Sequence, residues 1–379
     1  MRFFPFRRRS GRSLVAPHED LLVTEEMLRR NVEDVLVVRE RKILGGVIVF
    51  RGDLMVAPGS AVDALVERFR PYGYTPFLKE ERDSITVQAW PLADVVDQPR
   101  VGLTVTLFVL TCLTTLLAGA FFVGSPMFDA LRSAAVPLRF LSGIPFAAPL
   151  LAILATHEFG HYFTARFYRA AVSLPYFIPA PPPFLFGTLG AVIRMKSPPR
   201  DRNSLFDIAA AGPIAGLAIA VPAMLVGLQW STLAPPSDQV LLFGDSLLRR
   251  FLVYLHFGAI PDGLVVHTHP VADAAWAGFF VTALNLFPVG QLDGGRIAYA
   301  LFGARHRLIG RLTFVSLLAL AAITWSPNWL VWAALIFFLV GFGHQPPLDD
   351  VTPLSPARRL VGLLCLVLLV LLIPPIPIG

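Results

Sequence analysis

Three side chains with obvious capacity for chemistry stand together in His157-Glu158-Phe159-Gly160-His161. On an α-helix, residues four apart share one face, so both imidazoles can reach a single metal ion. Glu158 lies beside them, where it can take a proton from a metal-bound water. That chemistry is metal-assisted hydrolysis. The pattern is short and also arises by chance in soluble helices. Here it sits inside an apolar stretch, where three ionisable residues within five positions are expensive. That setting favours a metal.

A catalytic zinc typically takes three protein ligands and leaves a fourth position for water. The helix supplies His157 and His161, so the third ligand should be a carboxylate or histidine elsewhere. Asp293 is the best candidate. It lies in Asn285-Leu286-Phe287-Pro288-Val289-Gly290-Gln291-Leu292-Asp293-Gly294-Gly295. Pro288 and the glycines interrupt helical hydrogen bonding, which membrane depth tolerates only where the backbone is buried or lines a cavity. Asn285 precedes Asp293 by two turns, and its amide could bind a substrate carbonyl or a strained backbone group. His269 reads as a loop contact. His256, His267, His306 and His344 lack partners by spacing. Cys112 and Cys365 form no CxxC pair, so no disulfide framework or thiolate site is implied.

The elements that must position these groups are mostly apolar. Hydrophobic residues make up 55% of the 379 positions, above the average of soluble domains. Several runs exceed the roughly 18 apolar residues that suggest a transmembrane helix. The fold class expected is an all-α polytopic membrane protein of about six to eight transmembrane helices, with a membrane-associated β segment and a small N-terminal α/β domain. The net charge of +6 reads as membrane topology. No pattern of interleaved aromatic and basic residues points to nucleic acid.

Residues 1–21 read as a basic disordered tail, with Arg2, Arg7, Arg8, Arg9 and Arg12. No apolar core follows directly, which does not fit a secretory signal peptide. Residues 22–95 read as a soluble α/β domain with strands near 34–38, 46–50, 74–78 and 85–90. A ferredoxin-like arrangement is one candidate for it. It carries no His or Cys cluster and no phosphate loop. Residues 101–345 form the membrane core. Span one covers about 101–123, and span two, about 144–167, contains both histidines. Span three covers about 205–228, and span four begins near Ala274 and runs into 285–295. Residues 346–379 form a linker and a last helix. Gly212-Pro213-Ile214-Ala215-Gly216 has the GxxxG spacing that lets helices pack closely.

Placing the N-terminal domain in the cytoplasm puts Arg194, Lys196, Arg200, Arg202, Arg296, Arg305, Arg307, Arg311, Arg358 and Arg359 on the same side. Only Arg132, Arg139, Arg249 and Arg250 fall outside, in keeping with the positive-inside rule. Spans two and four then run in the same direction. His157 lies about 20 Å into its span, and Asp293 lies at a similar depth.

The two motifs, HEFGH and NLFPVGQLDGG, resemble those of the site-2 protease family of intramembrane zinc metalloproteases. Gly187-Thr188-Leu189-Gly190-Ala191, Asp201-Arg202 with Leu205-Phe206-Asp207, Ala211-Gly212-Pro213 and His269-Pro270 are similar to the plastid and cyanobacterial EGY-type branch. The resemblance covers about 100–345. It implies one Zn2+ per chain, held by His157, His161 and Asp293, with Glu158 activating water and protonating the leaving amine. It implies transmembrane protein substrates, cleaved within the bilayer. It makes Gly187, Thr188, Leu189 and Gly190 part of a membrane-facing strand that presents an edge to an extended peptide. The chain is then a multi-pass integral membrane protein whose N-terminal domain is cytoplasmic, or stromal in a plastid. The alternatives are a non-proteolytic membrane chaperone or scaffold of the same fold, and a metal or proton transporter.

Overall fold

The computed structural model describes residues 18–81, 84–92, 100–122, 140–181, 184–236 and 244–374. Most of the basic tail lies outside them. The chain divides into two compact units. The first holds the N-terminal region together with residues 198–202 and 346–353. The second holds the rest.

The first unit contains α1 (His18–Arg30), β1 (Leu36–Leu44), β2 (Val47–Leu54), α2 (Pro58–Phe69), β3 (Tyr74–Glu81) and β4 (Ser84–Pro91). Its sheet runs β1-β2-β4-β3, antiparallel throughout. This differs from a ferredoxin-like fold, whose split βαβ units interleave the strands. The cause is local. Gly45 and Gly46 both take positive φ, 58° and 90°, and close a two-residue β1–β2 turn. Such a turn commits consecutive strands to a hairpin. Alternate β2 residues Ile48 and Phe50 turn inward and pack with Leu28, Leu36, Val62, Leu65, Phe69, Leu78 and Val87.

Residues from far along the chain extend this sheet. The Leu78 N–H donates to Leu348 O at 2.7 Å, and the Asp350 N–H donates to Leu78 O at 3.0 Å. The Leu348 and Asp349 N–H groups donate in turn to Pro199 O and Arg200 O, at 2.9 and 2.8 Å. Arg202 is paired with Asp350 at 2.8 Å, and Arg200 with Asp63 at 2.5 Å. The β3 edge is thereby covered by residues 348–350, which composition assigned to a linker.

The second unit is mostly helical. It contains α3 (Val101–Phe122), α4 (Ile144–Phe167), β5 (Tyr176–Pro179), β6 (Thr188–Val192) and α5 (Arg202–Gln229). Next come β7 (Thr232–Ala234), α6 (Leu247–Phe257), β8 (Val265–His267), α7 (Pro270–Asn285), α8 (Asp293–Phe302) and α9 (His306–Thr324). Last come α10 (Pro327–Leu335) and α11 (Pro356–Leu372). Among the described residues, three segments are long and apolar enough to cross a membrane: Val101–Phe121, Arg202–Gln229 and Asp293–Thr324. α4 is long enough, but its imidazoles and carboxylate lower its mean hydropathy. α7 and α11 are shorter.

α4 packs against α3 and α7. The core between the helices contains Phe146, Leu150, Ile153, Met224, Trp276, Phe279, Phe287 and Trp329. At one end, Arg358 of α11 donates two hydrogen bonds to Asp207 of α5, at 2.8 and 2.7 Å. Tyr168, just past α4, donates its hydroxyl to the same carboxylate. One polar cluster thus joins three helices.

Candidate metal centre

His157, Glu158 and His161 lie in the middle of α4, and all three are buried. The helix enters through Pro145 in its first turn, where a missing N–H costs nothing. Asp293 reaches them by a different route. α7 ends at Asn285, and the chain then turns through Leu286–Leu292 before α8 begins at Asp293. Gly290 takes φ +54° there, and a Cβ on it would stand 2.3 Å from Gly341 O. A Cβ on Gly294 would stand 1.8 Å from Leu286 O, and one on Gly295 would stand 2.5 Å from Gly290 O. No residue with a side chain fits either place. The glycines on both sides of Asp293 therefore let the first turn of α8 nest in the loop that precedes it.

The result is a compact triad. Asp293 Oδ2 lies 3.3 Å from His157 Nε2 and 3.1 Å from His161 Nε2. The two Nε2 atoms are 3.1 Å apart. His161 Nδ1 lies 2.6 Å from the Ile208 carbonyl on α5. With its proton on Nδ1, donated to that carbonyl, His161 turns a bare lone pair toward Asp293 and His157. A cation between this lone pair, the Asp293 carboxylate and the Nε2 lone pair of a likewise Nδ1-protonated His157 would satisfy all three in a buried place. Ligand atoms about 2.0–2.1 Å from a tetrahedral zinc lie about 3.3–3.4 Å from one another. The observed separations are close to that edge length. The two imidazoles and the carboxylate fit one Zn2+, and among the described residues no other group of three such side chains does.

Glu158 points elsewhere. Its carboxylate lies near the backbone of Ile193, one residue beyond β6. The Asn285 amide nitrogen lies 3.4 Å from His157 Nε2. The structure thus brings together His157, Glu158, His161, Asp293 and Asn285, with the end of β6 beside Glu158. Leu189 of β6 is exposed, while Thr188 is buried and bonds to Ile178 O at 2.9 Å. A Cβ on Gly187 would stand 2.2 Å from Thr114 O on α3, so packing asks for a glycine there. A Cβ on Gly190 would meet nothing within 4 Å, although its φ of +98° suits glycine.

His269 caps α7, accepting from the Val271 N–H at 3.3 Å, and packs edge-on against Trp230. Two contacts escaped sequence reasoning, the Ile208 carbonyl on His161 and the Ile193 backbone near Glu158. Both are backbone groups, and no residue type marks them.

Residues 145–324, which include all three possible ligands, match the model of Peptidase family M50. The probable zinc metalloprotease EGY2, chloroplastic, of Arabidopsis thaliana is 32% identical over 62% of this chain and 42% of its own length. The probable zinc metalloprotease EGY1, chloroplastic, of Oryza sativa subsp. japonica is 36% identical over 62% of this chain and 41% of its own length. The Oryza sativa subsp. indica EGY2 is 29% identical over 84% of this chain and 59% of its own length. The chain spans about two fifths of the first two relatives. No solved structure matches it.

Proposed function

We propose, from a chain that carries a Peptidase family M50 domain, that this protein is a zinc metalloprotease that cuts peptide bonds within or near transmembrane segments of other membrane proteins. The observation that carries the reading is the buried convergence of His157, His161 and Asp293 at zinc-like spacing, with Glu158 on the same helix. In this reading the three side chains hold one zinc. The metal supplies Lewis acidity and makes water a usable nucleophile near neutral pH.

The protein's own groups do the rest. Glu158 accepts the proton of the attacking water and returns it to the departing amine. The Ile208 carbonyl keeps the proton of His161 on Nδ1, so Nε2 remains a ligand. Asn285 lies close enough to this centre to hold a substrate carbonyl. The strand β6, with Thr188, Leu189 and Gly190, ends beside Glu158. Its edge is suited to an extended peptide by strand addition. A substrate helix must unwind locally first, because a helical amide is shielded by its own hydrogen bonds.

The proposal includes a multi-pass topology of about six to eight spans. α4 and the shorter α7, α10 and α11 would add to the three long apolar segments. Residues 22–95 would form a soluble domain on the cytoplasmic or stromal side, 101–345 the protease core and 346–379 a linker with the last span. No observation favours the scaffold or transporter alternatives, and Glu158 beside the metal-binding pair has a clear hydrolytic purpose.

The test is the purified full chain with a model transmembrane substrate. The wild type should hold about one zinc per chain. Glu158→Gln should keep the zinc and lose roughly 10²–10⁴-fold in cleavage rate. Undiminished cleavage by that variant would defeat the role given to Glu158, and a wild type without zinc would defeat the whole reading.

A further inference from the structure

The GxxxG run of α5 invites a plain reading as helix packing, yet its glycines do not face a helix backbone. A Cβ on Gly212 would stand 2.1 Å from Nε2 of His161, 2.4 Å from Cε1 and 2.5 Å from Cδ2. A Cβ on Gly216 would stand 3.2 Å from Nδ1 of His157. The backbone contact on this pair of helices comes from Gly160 of α4, whose added Cβ would stand 2.8 Å from Ala211 O. The closeness of α4 and α5 is therefore set at Gly160, and Gly212 serves the ring of His161.

The same turn of α5 holds the ring's other side. Ile208, four residues before Gly212, takes the Nδ1 proton of His161 on its carbonyl at 2.6 Å. A carbonyl oxygen has two lone pairs, so that of Ile208 can accept from His161 as well as serve its own helix. One residue further on, Pro213 has no N–H for the Ala209 carbonyl.

We infer that the Ile208–Gly212 turn of α5 positions His161: Ile208 fixes which nitrogen carries the proton, and the missing side chain of Gly212 leaves the ring the only space in which Nε2 meets His157 and Asp293. Gly212 is a positioning residue, since it touches a ligand and neither substrate nor reacting atoms. The inference rests on the metal-site reading above. It also explains why a glycine is needed at a place where helix propensity favours alanine.

The experiment uses Co2+ with the full chain, read by the visible absorption of the bound ion and by chelator competition. If the wild type binds no cobalt, the site reading itself fails. If it binds, Gly212→Ala should lower the affinity by at least about tenfold, the scale of a lost ligand-orienting contact. Gly227→Ala is the control, because its Cβ would stand 2.3 Å from Ala272 N, a comparable clash on the same helix away from the rings. That variant should lose thermal stability and keep the cobalt spectrum. Equal cobalt affinity in Gly212→Ala and wild type overturns the inference.

A variant that folds poorly is handled by a double-mutant cycle with chelator present, so that metal loss does not enter. Gly212→Ala should lower the melting midpoint of the wild type. In a His161→Ala background, where no ring remains to be struck, it should leave the midpoint unchanged or raise it. The same drop in both backgrounds would make Gly212 an ordinary packing residue and overturn the inference.

Discussion

Polar partners stand close together in both units, and the distances alone would rank them wrongly. In the N-terminal unit Arg68 and Asp34 meet at 2.5 Å, with 61% of the Asp34 side chain exposed. In the helical unit His161 and Asp293 meet at 3.1 Å, with 11% of the Asp293 side chain exposed. Water screens the first pair, and the hydration lost on pairing offsets most of its attraction. The second pair has little water to fall back on, so removing one member leaves the others costly where they are. Burial, more than separation, decides which polar group a fold depends on.

Substitution at the buried centre should have the largest effect. Asp293→Ala removes one of three converging groups. It should weaken zinc binding by more than the roughly 100-fold that loss of an orienting partner causes, measured by chelator competition. If the variant binds zinc as the wild type does, the comparison breaks at its stronger end.

An intermediate effect is expected at the Tyr168–Asp207–Arg358 cluster, which is neither fully wet nor fully dry. Arg358→Ala removes two charge-assisted hydrogen bonds from Asp207, each worth about 1.5–3 kcal/mol when well shielded. The Arg358 side chain is 34% exposed, so a net loss of about 1–2 kcal/mol is expected after solvent screening. It should appear as a lower melting midpoint, with one zinc per chain retained. A variant as stable as wild type would show that this cluster behaves like the exposed pairs.

The smallest effect belongs to Asp34. The Arg68 guanidinium hydrogen-bonded to it holds its carboxyl below the ordinary carboxylate range. The folded state therefore binds this proton less readily than the unfolded chain does. The stability involved is present above the unfolded value and lost as pH falls through the lowered one. Asp34→Asn should cost less than about 1 kcal/mol near neutral pH and should flatten the acid side of the stability profile. A larger cost would mean that exposure does not weaken the pair as argued.

Much of the site was legible before any fold was known. Residues four apart on a helix must share a face, which brought His157 and His161 together, with Glu158 beside them. The proline and glycines around Asp293 announced a broken backbone at membrane depth. Less was legible in the supporting parts. Nothing in the type of Ile208 or Ile193 says that its backbone lies beside the buried cluster, since every residue carries the same carbonyl and amide. Residues 346–353 looked like a linker, because a segment that only bridges another domain's sheet edge needs no pattern of its own. Gly187 reads from the sequence as part of a peptide-binding strand, and only the fold shows that a side chain there would also meet the Thr114 carbonyl.

By itself the sequence determined that His157 and His161 share one helix face, with Glu158 beside them, and that the larger unit is apolar. These follow from side-chain type and short spacing, both of which act within a few residues. Only the tertiary structure decided that Asp293 lies 3.1 Å from His161, that Ile208 holds that ring's proton, and that the strip of glycines on α5 faces imidazoles. Those facts depend on how distant helices meet, and close packing fixes that jointly over many side chains.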